Sequence, residues 1–481
     1  MYLVIALAVL VGVAACGPKP TAGPPTAAEP TSAKAYGIPE ETGDGWETAS
    51  LVEVGVDSGR IADLIGGIRS GEYENVHGIV LVKNGKLVLE EYFDGYDRDR
   101  KHYVASVTKS IASVLIGIAM DQGFIGGIAQ GGLDTPVVDL FPEYETAISA
   151  DRAKQDLLLR HILSMSAGLE WDEQTYSYDD PRNDCDRAEH SDDSVGFVLQ
   201  KPVVATPGTE FLYNGGLSIL LSALIQNSTG MHTAEFAREY LFRPLGIEDS
   251  AWDNFADGLA DTTGGLHMRP RDMAKIGYLM LSGGEWQVSQ IVSPEWVNES
   301  TRVQIATGLG PDYGYQWWRG KLLVNGSGVE TFFASGHGGQ KIFVFPVPNL
   351  VVVFTQKVFD NPLAEPRNMA MLTRYMLPAA LPPTSPREIL ELAPEDLDRF
   401  VGEYESKADE DTLTFFRQRN TLYLRGRDIG DVELFPEAEN RFVGTVMDIV
   451  DFQIVFEQEH GEAEYLTLHI DFRSGRYDKV K

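Results

Sequence analysis

One stretch of the sequence, VASVTKSIASVLIGIA at residues 104–119, does most to limit what this chain can fold into. Over residues 105–120 the predicted helix is almost continuously apolar, with Lys109, Ser110 and Ser113 as its main polar interruptions. A helix that is apolar on nearly every side has to be buried on nearly every side, so it must lie inside a large layered domain. A charged lysine near the start of such a helix requires an explanation.

Strands are predicted at both ends of the main part of the chain, with helices between them. The run HGIVLVKNGKLVLEEYF alternates apolar and polar residues around Asn84-Gly85, a pair typical of a type I′ hairpin turn. Helices are predicted for LLLRHILSMSAGL, GGLSILLSALIQNSTG and TGGLHMRPRDMAKIGYLMLSGGEW, and strands again for YGYQWW and ETFFASGHGGQKIFVFPVPNLVVVFTQ. We therefore expect an α/β (α+β) fold, in which the two ends build one antiparallel sheet that is flanked by helices and carries a helical subdomain.

A second, smaller domain is predicted after a proline-rich boundary near residue 385. Beyond Pro394 the short alternating runs TLTFFRQ, TLYLRG, FQIVFEQ and YLTLHI are typical of a small all-β sheet or barrel. No cluster of chemically active residues stands out in these runs, which favours a packing or stabilising role. We place the main domain at residues 46–382 and the C-terminal β-domain at residues 388–481.

The amino-terminal residues indicate export. The apolar run in MYLVIALAVLVGVAACGPKP is too short to span a bilayer as an ordinary helix, and residues 1–16 resemble a bacterial lipoprotein signal peptide with Cys16 as the lipidated cysteine. No Lys or Arg precedes the apolar run, and a plain secretory signal is the alternative. Residues 17–45, rich in Pro, Ala and Thr, predict a solvated linker. Both interpretations place the protein outside the cytoplasm. The lipoprotein interpretation places it in the bacterial cell envelope, on the periplasmic or extracellular side, where only the lipid anchor joins it to the membrane.

Composition excludes several classes of partner. The net charge of −31 and a pI near 4.6 argue against nucleic acid, because its phosphate backbone would be repelled. No paired-cysteine or His-x-x-x-His spacing indicates a metal and no glycine loop indicates a nucleotide, so we predict no cofactor. The acidic run YDDPRNDCDRAEHSDD lacks the spacing of a calcium loop and predicts a solvated loop. Its Cys185 is the only cysteine besides Cys16, which leaves no internal disulfide in a processed chain.

The start of the apolar helix carries the residues for nucleophilic chemistry. Ser106 and Lys109 stand at positions i and i+3, so the amine can reach the hydroxyl on one helix face. The helix dipole and burial both disfavour a cation there, so we expect a lowered pKa for Lys109 and an amine that can take the serine proton. A serine hydroxyl needs such a base to become a useful nucleophile. No Gly-x-Ser-x-Gly elbow is present, which argues against an α/β-hydrolase.

Further motifs follow this serine in a recognisable order: VASVTKS, LRHILSMSAGL, PGTEFLYNGGLSILLSALI, LFRPLGIEDSAW, GGLHMRPRDMAKIGYLMLSGGEW, YGYQWW and ASGHGGQ. Their order and spacing resemble those of the serine β-lactamase-related hydrolases. That family includes class C β-lactamases, D-Ala-D-Ala carboxypeptidases, D-aminopeptidases, esterases and 6-aminohexanoate-oligomer hydrolases. The resemblance covers about residues 50–380, and the C-terminal portion resembles the small β-domain that follows some of these hydrolases. It implies the β-lactamase/transpeptidase fold and an acyl-enzyme intermediate.

The resemblance also implies roles for single residues of this chain. It places the nucleophile at Ser106, the lysine at Lys109 and the tyrosine at Tyr213, whose phenol shares the base role and later protonates the leaving group. The backbone N–H groups of Ser106 and Gln340 would form the oxyanion hole. The family often has Asn two residues after the tyrosine, whereas Asn214 follows it directly here, and we assign Asn214 to substrate binding.

The third family element falls on the tripeptide His337-Gly338-Gly339. We predict that His337 takes part in catalysis and that Gly338 and Gly339 let the substrate backbone approach closely. In β-lactamases a lysine usually occupies the first position and meets the substrate carboxylate. A histidine is mostly neutral at pH 7, so its presence here favours esters or peptides over β-lactams.

We therefore expect an extracytoplasmic serine hydrolase that is acylated on Ser106 and acts on small esters or amides. The enzymatic alternatives are a D-amino-acid peptidase or penicillin-binding carboxypeptidase, and a β-lactamase, for which no Glu-x-x-Leu-Asn stretch supplies the class A deacylating base. The alternative outside enzymes is a non-catalytic lipoprotein that binds cell-wall fragments. The expected partner is thus a small ester, an amide or a D-amino-acid peptide, and the oligomeric state is left open.

Overall fold

The computed structural model describes residues 37–308, 310–324, 327–359, 369–382, 390–407, 411–426, 430–446, 450–459, 462–470 and 473–480. The predicted signal peptide with Cys16, and residues 17–36 of the predicted linker, lie outside the described residues. The α-helices are α1 Ser58–Ser70, α2 Val107–Asp121, α3 Val137–Leu140, α4 Glu145–Ser149, α5 Leu159–Leu163, α6 Asp184–Glu189, α7 Ser194–Leu199, α8 Gly215–Thr229, α9 Thr233–Ala237, α10 Pro270–Leu281, α11 Pro294–Thr301, α12 Leu377–Ala380 and α13 Pro394–Asp398. Short 3₁₀ turns lie at Ile128–Gln130, Gly132–Asp134, Pro142–Tyr144 and Arg152–Asp156, and π-helical turns at Arg238–Phe242 and Leu372–Met376.

The strands of the main domain are β1 Val76–Lys83, β2 Lys86–Tyr92, β3 His102–Tyr103, β4 Ala251–Trp252, β5 Leu266–Met268, β6 Glu285–Trp286, β7 Ser289–Gln290, β8 Asp312–Tyr313, β9 Trp318–Val324, β10 Ser327–Gly336, β11 Gln340–Phe345 and β12 Leu350–Gln356. Those of the C-terminal part are β13 Gly402–Ser406, β14 Asp411–Gln418, β15 Thr421–Gly426, β16 Gly430–Ala438, β17 Arg441–Val446, β18 Val450–Glu459, β19 Glu462–Ile470 and β20 Arg473–Lys479.

A seven-stranded antiparallel sheet, in the order β2-β1-β12-β11-β10-β9-β8, forms the centre of the main domain. Val76 at the start of β1 pairs with Gln356 at the end of β12, so strands from the two ends of the domain lie side by side. The prediction of one sheet built from both ends is confirmed. The predicted type I′ turn is also present, because Asn84 and Gly85 both have positive φ, 53° and 79°.

The sheet lies between two helical layers, as its alternating side chains show. In β12, Val351 and Val353 belong to the large core shared with α2, α8 and α10, whereas Val352 and Phe354 belong to the core shared with α1 and α12. A strand with both faces covered is apolar along its whole length, which explains the run LVVVF. The antiparallel sheet flanked by helices that the sequence predicts is therefore present.

Helix α2 is buried over every residue from Val107 to Met120, as its apolar surface predicts. Helix α8 ends where predicted, at Gly230, which adopts a left-handed φ of 70°. The helix predicted for LLLRHILSMSAGL is only partly present, as α5. Leu158 forms a β-bridge with Pro136 and Met165 has a positive φ of 55°, so tertiary contacts shorten this helix at both ends.

Strands β13 to β20 form a closed antiparallel barrel in chain order, with β13 pairing with β20. Its interior is filled by aliphatic and aromatic side chains, and the aromatic ones include Tyr404, Phe415, Phe442 and Phe456. The predicted small all-β domain is confirmed, while its boundary at residues 382–388 stays a prediction. In the parts of the chain that the structure describes, no helix is both long enough and apolar enough to cross a bilayer.

Candidate active site

The turn that holds Ser106 is fixed by the short strand β5. The backbone N–H of Val104 donates to Leu266 O at 2.9 Å, and Ala105 adopts a positive φ of 47°. Thr108 Oγ1 donates to Ala105 O at 2.7 Å and accepts from the Leu266 N–H at 3.3 Å. A strained residue directly before the nucleophile position is typical of a functional site. These bonds set Ser106 at the N-cap of α2.

Lys109 lies one turn into α2 and reaches back to the serine. Its Nζ is 3.0 Å from Ser106 Oγ and donates a second bond to Thr263 O at 2.6 Å. The residue is 3% exposed. Asp261 shapes the turn that presents this carbonyl, because its Oδ1 accepts from the Thr263 N–H at 2.7 Å and from the Gly264 N–H at 3.1 Å. The structure therefore brings Ser106 and Lys109 together in the geometry that their spacing predicts.

Tyr213 lies beside this pair, directly before the N-cap of α8. Lys109 Nζ is 5.2 Å from the centroid of its ring, which stacks on Trp318 at 6.0 Å between centroids. Burial raises the pKa of Tyr213, and the positive charge of Lys109 opposes that rise. The three side chains predicted as nucleophile, lysine and tyrosine thus form one contiguous group.

The charge state of Lys109 differs from the sequence prediction. Burial does act to lower the pKa of Lys109, as expected, but electrostatic interaction with the acidic groups of Tyr213, Glu173 and Asp261 outweighs burial and raises it. The predicted lowered pKa was wrong because these groups are far away in sequence. In the resting site Lys109 carries its proton and donates it toward Ser106 Oγ.

Strand β10 approaches the serine turn closely. A Cβ on Gly336 would lie 2.3 Å from Val104 O, so only glycine lets the strand pass. Gly336 pairs with Gln340 at the start of β11, which places Gln340 on the hairpin next to the serine turn. The side chain of Gln340 donates to Gln356 O at 2.5 Å and is 2% exposed. The role of its backbone N–H as an oxyanion donor stays a prediction.

His337, Gly338 and Gly339 form the turn between β10 and β11. The ring of His337 lies between Tyr178, at 5.7 Å between centroids, and Phe359, at 5.0 Å. Gly338 and Gly339 have positive φ of 80° and 91°, and a Cβ on Gly338 would meet the ring of Phe359 at 2.4 Å. The fold itself therefore requires glycine at both positions. Close approach of a substrate to them, and catalysis by His337, stay predictions.

Asn214 has a structural role in this arrangement. Its side chain accepts from the Leu217 N–H at 3.3 Å and so caps α8, and the residue is 1% exposed. The side chain thus faces the helix start, and its predicted contact with substrate stays a prediction. Gly215 and Gly216 follow it, and a Cβ on either would clash with buried side chains, those of Glu173 and Trp171 respectively.

The acidic run at residues 178–193 is only partly the solvated loop that we expected. Asn183 caps helix α6, and the thiol of Cys185, in that helix, donates to Glu173 Oε2 at 3.1 Å. Tyr178 packs beside His337. Sequence reasoning missed Glu173 and Tyr178 as neighbours of the site. The available signal was the pair Gly215-Gly216, since two glycines at a helix start indicate close approach by another side chain.

The described residues hold no group of three or more His, Cys, Asp or Glu side chains arranged to bind a metal ion.

Comparison with known proteins identifies the family. The family model for Beta-lactamase matches residues 73–375, which is more than half of the chain and includes Ser106, Lys109 and Tyr213. The chain belongs to the beta-lactamase family and is a serine hydrolase.

Two relatives and one further structure show how far the likeness extends. The 6-aminohexanoate-dimer hydrolase of Paenarthrobacter ureafaciens is 26% identical over 296 residues, 57% of this chain and 70% of that protein. A proposed 6-aminohexanoate-dimer hydrolase from Bacillus anthracis superimposes with a TM-score of 0.52 at 22% identity, over 64% of this chain and 79% of the other. SurE superimposes with a TM-score of 0.51 at 18% identity, over 89% of this chain and 99% of the other. The two structural matches establish a shared fold.

Proposed function

We propose that this protein is an extracytoplasmic hydrolase that forms an acyl-enzyme on Ser106 and acts on small esters or amides. The single observation that carries the proposal is the 3.0 Å approach of Lys109 Nζ to Ser106 Oγ at the start of a buried helix, with Tyr213 alongside. A structural lysine at a helix start would not need this arrangement of a hydroxyl, an amine and a phenol in one enclosed group.

In the acylation step, Ser106 Oγ attacks the carbonyl carbon of the substrate. The serine proton passes to the Lys109–Tyr213 pair, and negative charge develops on the carbonyl oxygen. The backbone N–H groups of Ser106 and Gln340 stabilise that oxygen. When the tetrahedral intermediate collapses, the bond to the leaving alcohol or amine breaks and the leaving group takes the proton from the pair.

In deacylation, water replaces the serine hydroxyl as the nucleophile. The Lys109–Tyr213 pair accepts the proton of the water, and Ser106 regains its own proton as the acid product leaves. Because the pKa of Lys109 and that of Tyr213 are both raised, the pair has to release one proton before it can act as a base. The competent fraction of the enzyme, and with it the rate, therefore rises with pH.

The substrate class and the location rest on separate observations. The name of the Paenarthrobacter relative favours a linear amide such as the 6-aminohexanoate dimer as a test substrate. The position that β-lactamases fill with a lysine holds His337, which favours substrates without a carboxylate at that point. Location in the cell envelope is supported by the lipoprotein-like residues 1–16 with Cys16.

The test is release of p-nitrophenol from a short-chain ester by the purified protein, next to its Ser106→Ala variant. We expect turnover in the wild type and none in the variant, together with a covalent fluorophosphonate adduct that appears only when Ser106 is present. An adduct of equal yield on the Ala variant would refute the nucleophile. Release of amine from the 6-aminohexanoate dimer, or of D-alanine from a D-Ala-D-Ala peptide, then separates linear amides from cell-wall peptides as substrates.

A further inference from the structure

Glu173 is a buried carboxylate next to the site that the mechanism above does not use. It is 2% exposed. Three donors meet its Oε2: Trp171 Nε1 at 2.7 Å, the Gly215 N–H at 2.5 Å and Cys185 Sγ at 3.1 Å. Tyr178 OH donates to Oε1 at 3.3 Å. Several donors converging on one oxygen stabilise an ionised carboxylate.

The carboxylate fixes the backbone that carries Tyr213. Gly215, whose N–H it accepts, is the first residue of α8 and lies two residues after Tyr213. A Cβ on Gly215 would lie 2.8 Å from Glu173 Oε2, so the helix start and the carboxylate are in direct contact. Any movement of Glu173 therefore moves the segment that positions the phenol.

The negative charge of Glu173 also acts on the catalytic pair, where it raises the pKa of Lys109 and that of Tyr213. The other titratable groups that face Lys109, Tyr213 or Glu173 are Tyr103, Tyr178, Cys185, Asp261 and Tyr313. Burial raises the pKa of Tyr103, Tyr178, Cys185 and Tyr313, so these four keep their protons at neutral pH. Glu173 and Asp261 are thus the carboxylates that face Lys109.

We propose that Glu173 is a positioning residue of this hydrolase, whose carboxylate anchors the backbone beside Tyr213 and balances the positive charge of Lys109. The proposal rests on the proposed function, because it takes Ser106 as the nucleophile. Glu173 touches neither the substrate nor the reacting atoms in this mechanism. It acts through Lys109 and Tyr213, and its effect must appear in how the serine responds to pH.

The variant Glu173→Gln separates charge from packing. The amide oxygen of glutamine can accept from Trp171, Cys185 and Gly215, while its NH₂ group faces the hydroxyl of Tyr178, which can accept. The substitution thus keeps each hydrogen-bonded contact, with the direction of the bond to Tyr178 reversed, and removes the charge. We expect Glu173→Gln to fold with a melting temperature close to that of the wild type.

The measurement is the rate at which a fluorophosphonate probe labels Ser106, followed by intact mass between pH 5 and 9.5. Removal of the negative charge lowers the pKa of both Lys109 and Tyr213. The rising limb of the profile, in which the labelling rate increases with pH, therefore moves to lower pH whichever of the two groups is the base. Both groups titrate above pH 9.5, so within this range a shift of roughly one pH unit appears as labelling about ten times faster than in the wild type at each pH. A merely structural role would instead lower the labelling rate at every pH.

Two matched variants control for other effects. Cys185→Ser keeps a donor to Oε2, and Glu239→Gln removes a carboxylate from an exposed ion pair with Arg243. Both should keep the wild-type profile. If the wild type is not labelled, or if Ser106→Ala is labelled equally, the proposed function fails and the role of Glu173 fails with it.

If labelling depends on Ser106 but Glu173→Gln is labelled at the wild-type rate at each pH, so that its rate rises with pH just as that of the wild type does, only the proposed role of Glu173 is refuted. The wild type supplies a second measurement, should Glu173→Gln not fold. Its labelling rate has to rise with pH above neutrality, and a rate independent of pH across the whole range would also overturn the proposal.

Discussion

The substitution Gly215→Ala tests the packing behind Tyr213 most directly. The new Cβ would lie 2.8 Å from Glu173 Oε2 and 2.9 Å from Cys185 Sγ, both shorter than real Cβ contacts. The carboxylate would have to leave its bond to the Gly215 N–H, or the start of α8 would have to move. Neither group has free space, because Glu173 is also held by Trp171 and Tyr178.

The expected cost follows from these contacts. Loss of a hydrogen bond to a charged group costs about 1.5–3 kcal/mol, and overpacking costs about 1–3 kcal/mol. Replacing glycine in a helix by alanine raises the free energy of unfolding by only about 0.5–1 kcal/mol. We therefore expect Gly215→Ala to lower the free energy of unfolding by about 2–5 kcal/mol, and to slow ester hydrolysis because Tyr213 moves with the helix start.

Gly66 in α1 provides the matched control. It is exposed, and a Cβ there meets nothing within 4 Å, so Gly66→Ala should stabilise the protein slightly. Urea denaturation followed by tryptophan fluorescence is a suitable assay, since all 7 tryptophans lie between residues 46 and 318 and report on the main domain alone. If Gly215→Ala were as stable and as active as Gly66→Ala, the reasoning about Glu173 and α8 would be wrong.

Three further predictions concern the phenol, a buried ion pair and a buried histidine. Tyr213→Phe keeps the stack on Trp318 and should slow acylation at least about 100-fold, with a melting temperature near that of the wild type; retention of full activity would exclude the phenol as a proton carrier. Asp272 is wholly buried and paired with Arg269 and Lys275, so Asp272→Ala should lower the free energy of unfolding, measured in urea, by about 3 kcal/mol. Arg243 forms an exposed pair with Glu239, so Arg243→Ala should lower it by less than about 1 kcal/mol. Burial lowers the pKa of His102 from 6.5 to about 4. As the pH falls through this range, His102 becomes protonated in the unfolded chain while it stays neutral in the folded chain. Stability should therefore drop by about 2 kcal/mol between pH 7 and pH 5, and the drop should be smaller in His102→Phe; equal drops would contradict the assignment.

The parts of the fold that depend on neighbours in sequence could be predicted. The Asn84-Gly85 turn needs only two residues that tolerate positive φ, and the end of α8 needs only a glycine after an apolar helix. The approach of Ser106 and Lys109 follows from a spacing of three residues on one helix. Local geometry decides each of these features, so the order of residues was enough.

Features that depend on distant segments could not be predicted. The pKa of Lys109 is set by Tyr213, Glu173 and Asp261, which only the folded chain brings to the start of α2. Periodicity alone likewise predicted a longer helix than α5, because it contains no information on the bridge between Leu158 and Pro136. Tertiary contacts override local preference at these positions.

The order of strands in the central sheet has a consequence for how the polypeptide reaches its native state. Strand β1 has β12 as a neighbour, and Val76 meets a partner about 280 residues further along the chain. Most of the hydrolase must therefore leave the ribosome before β12 can pair with the β1–β2 hairpin. Until then the unpaired edge of β1, VHGIVLVK, can pair with strands of other chains. Nascent chains shorter than about 350 residues should depend on a holding chaperone, and folding should be slow because its last pairing closes the longest loop.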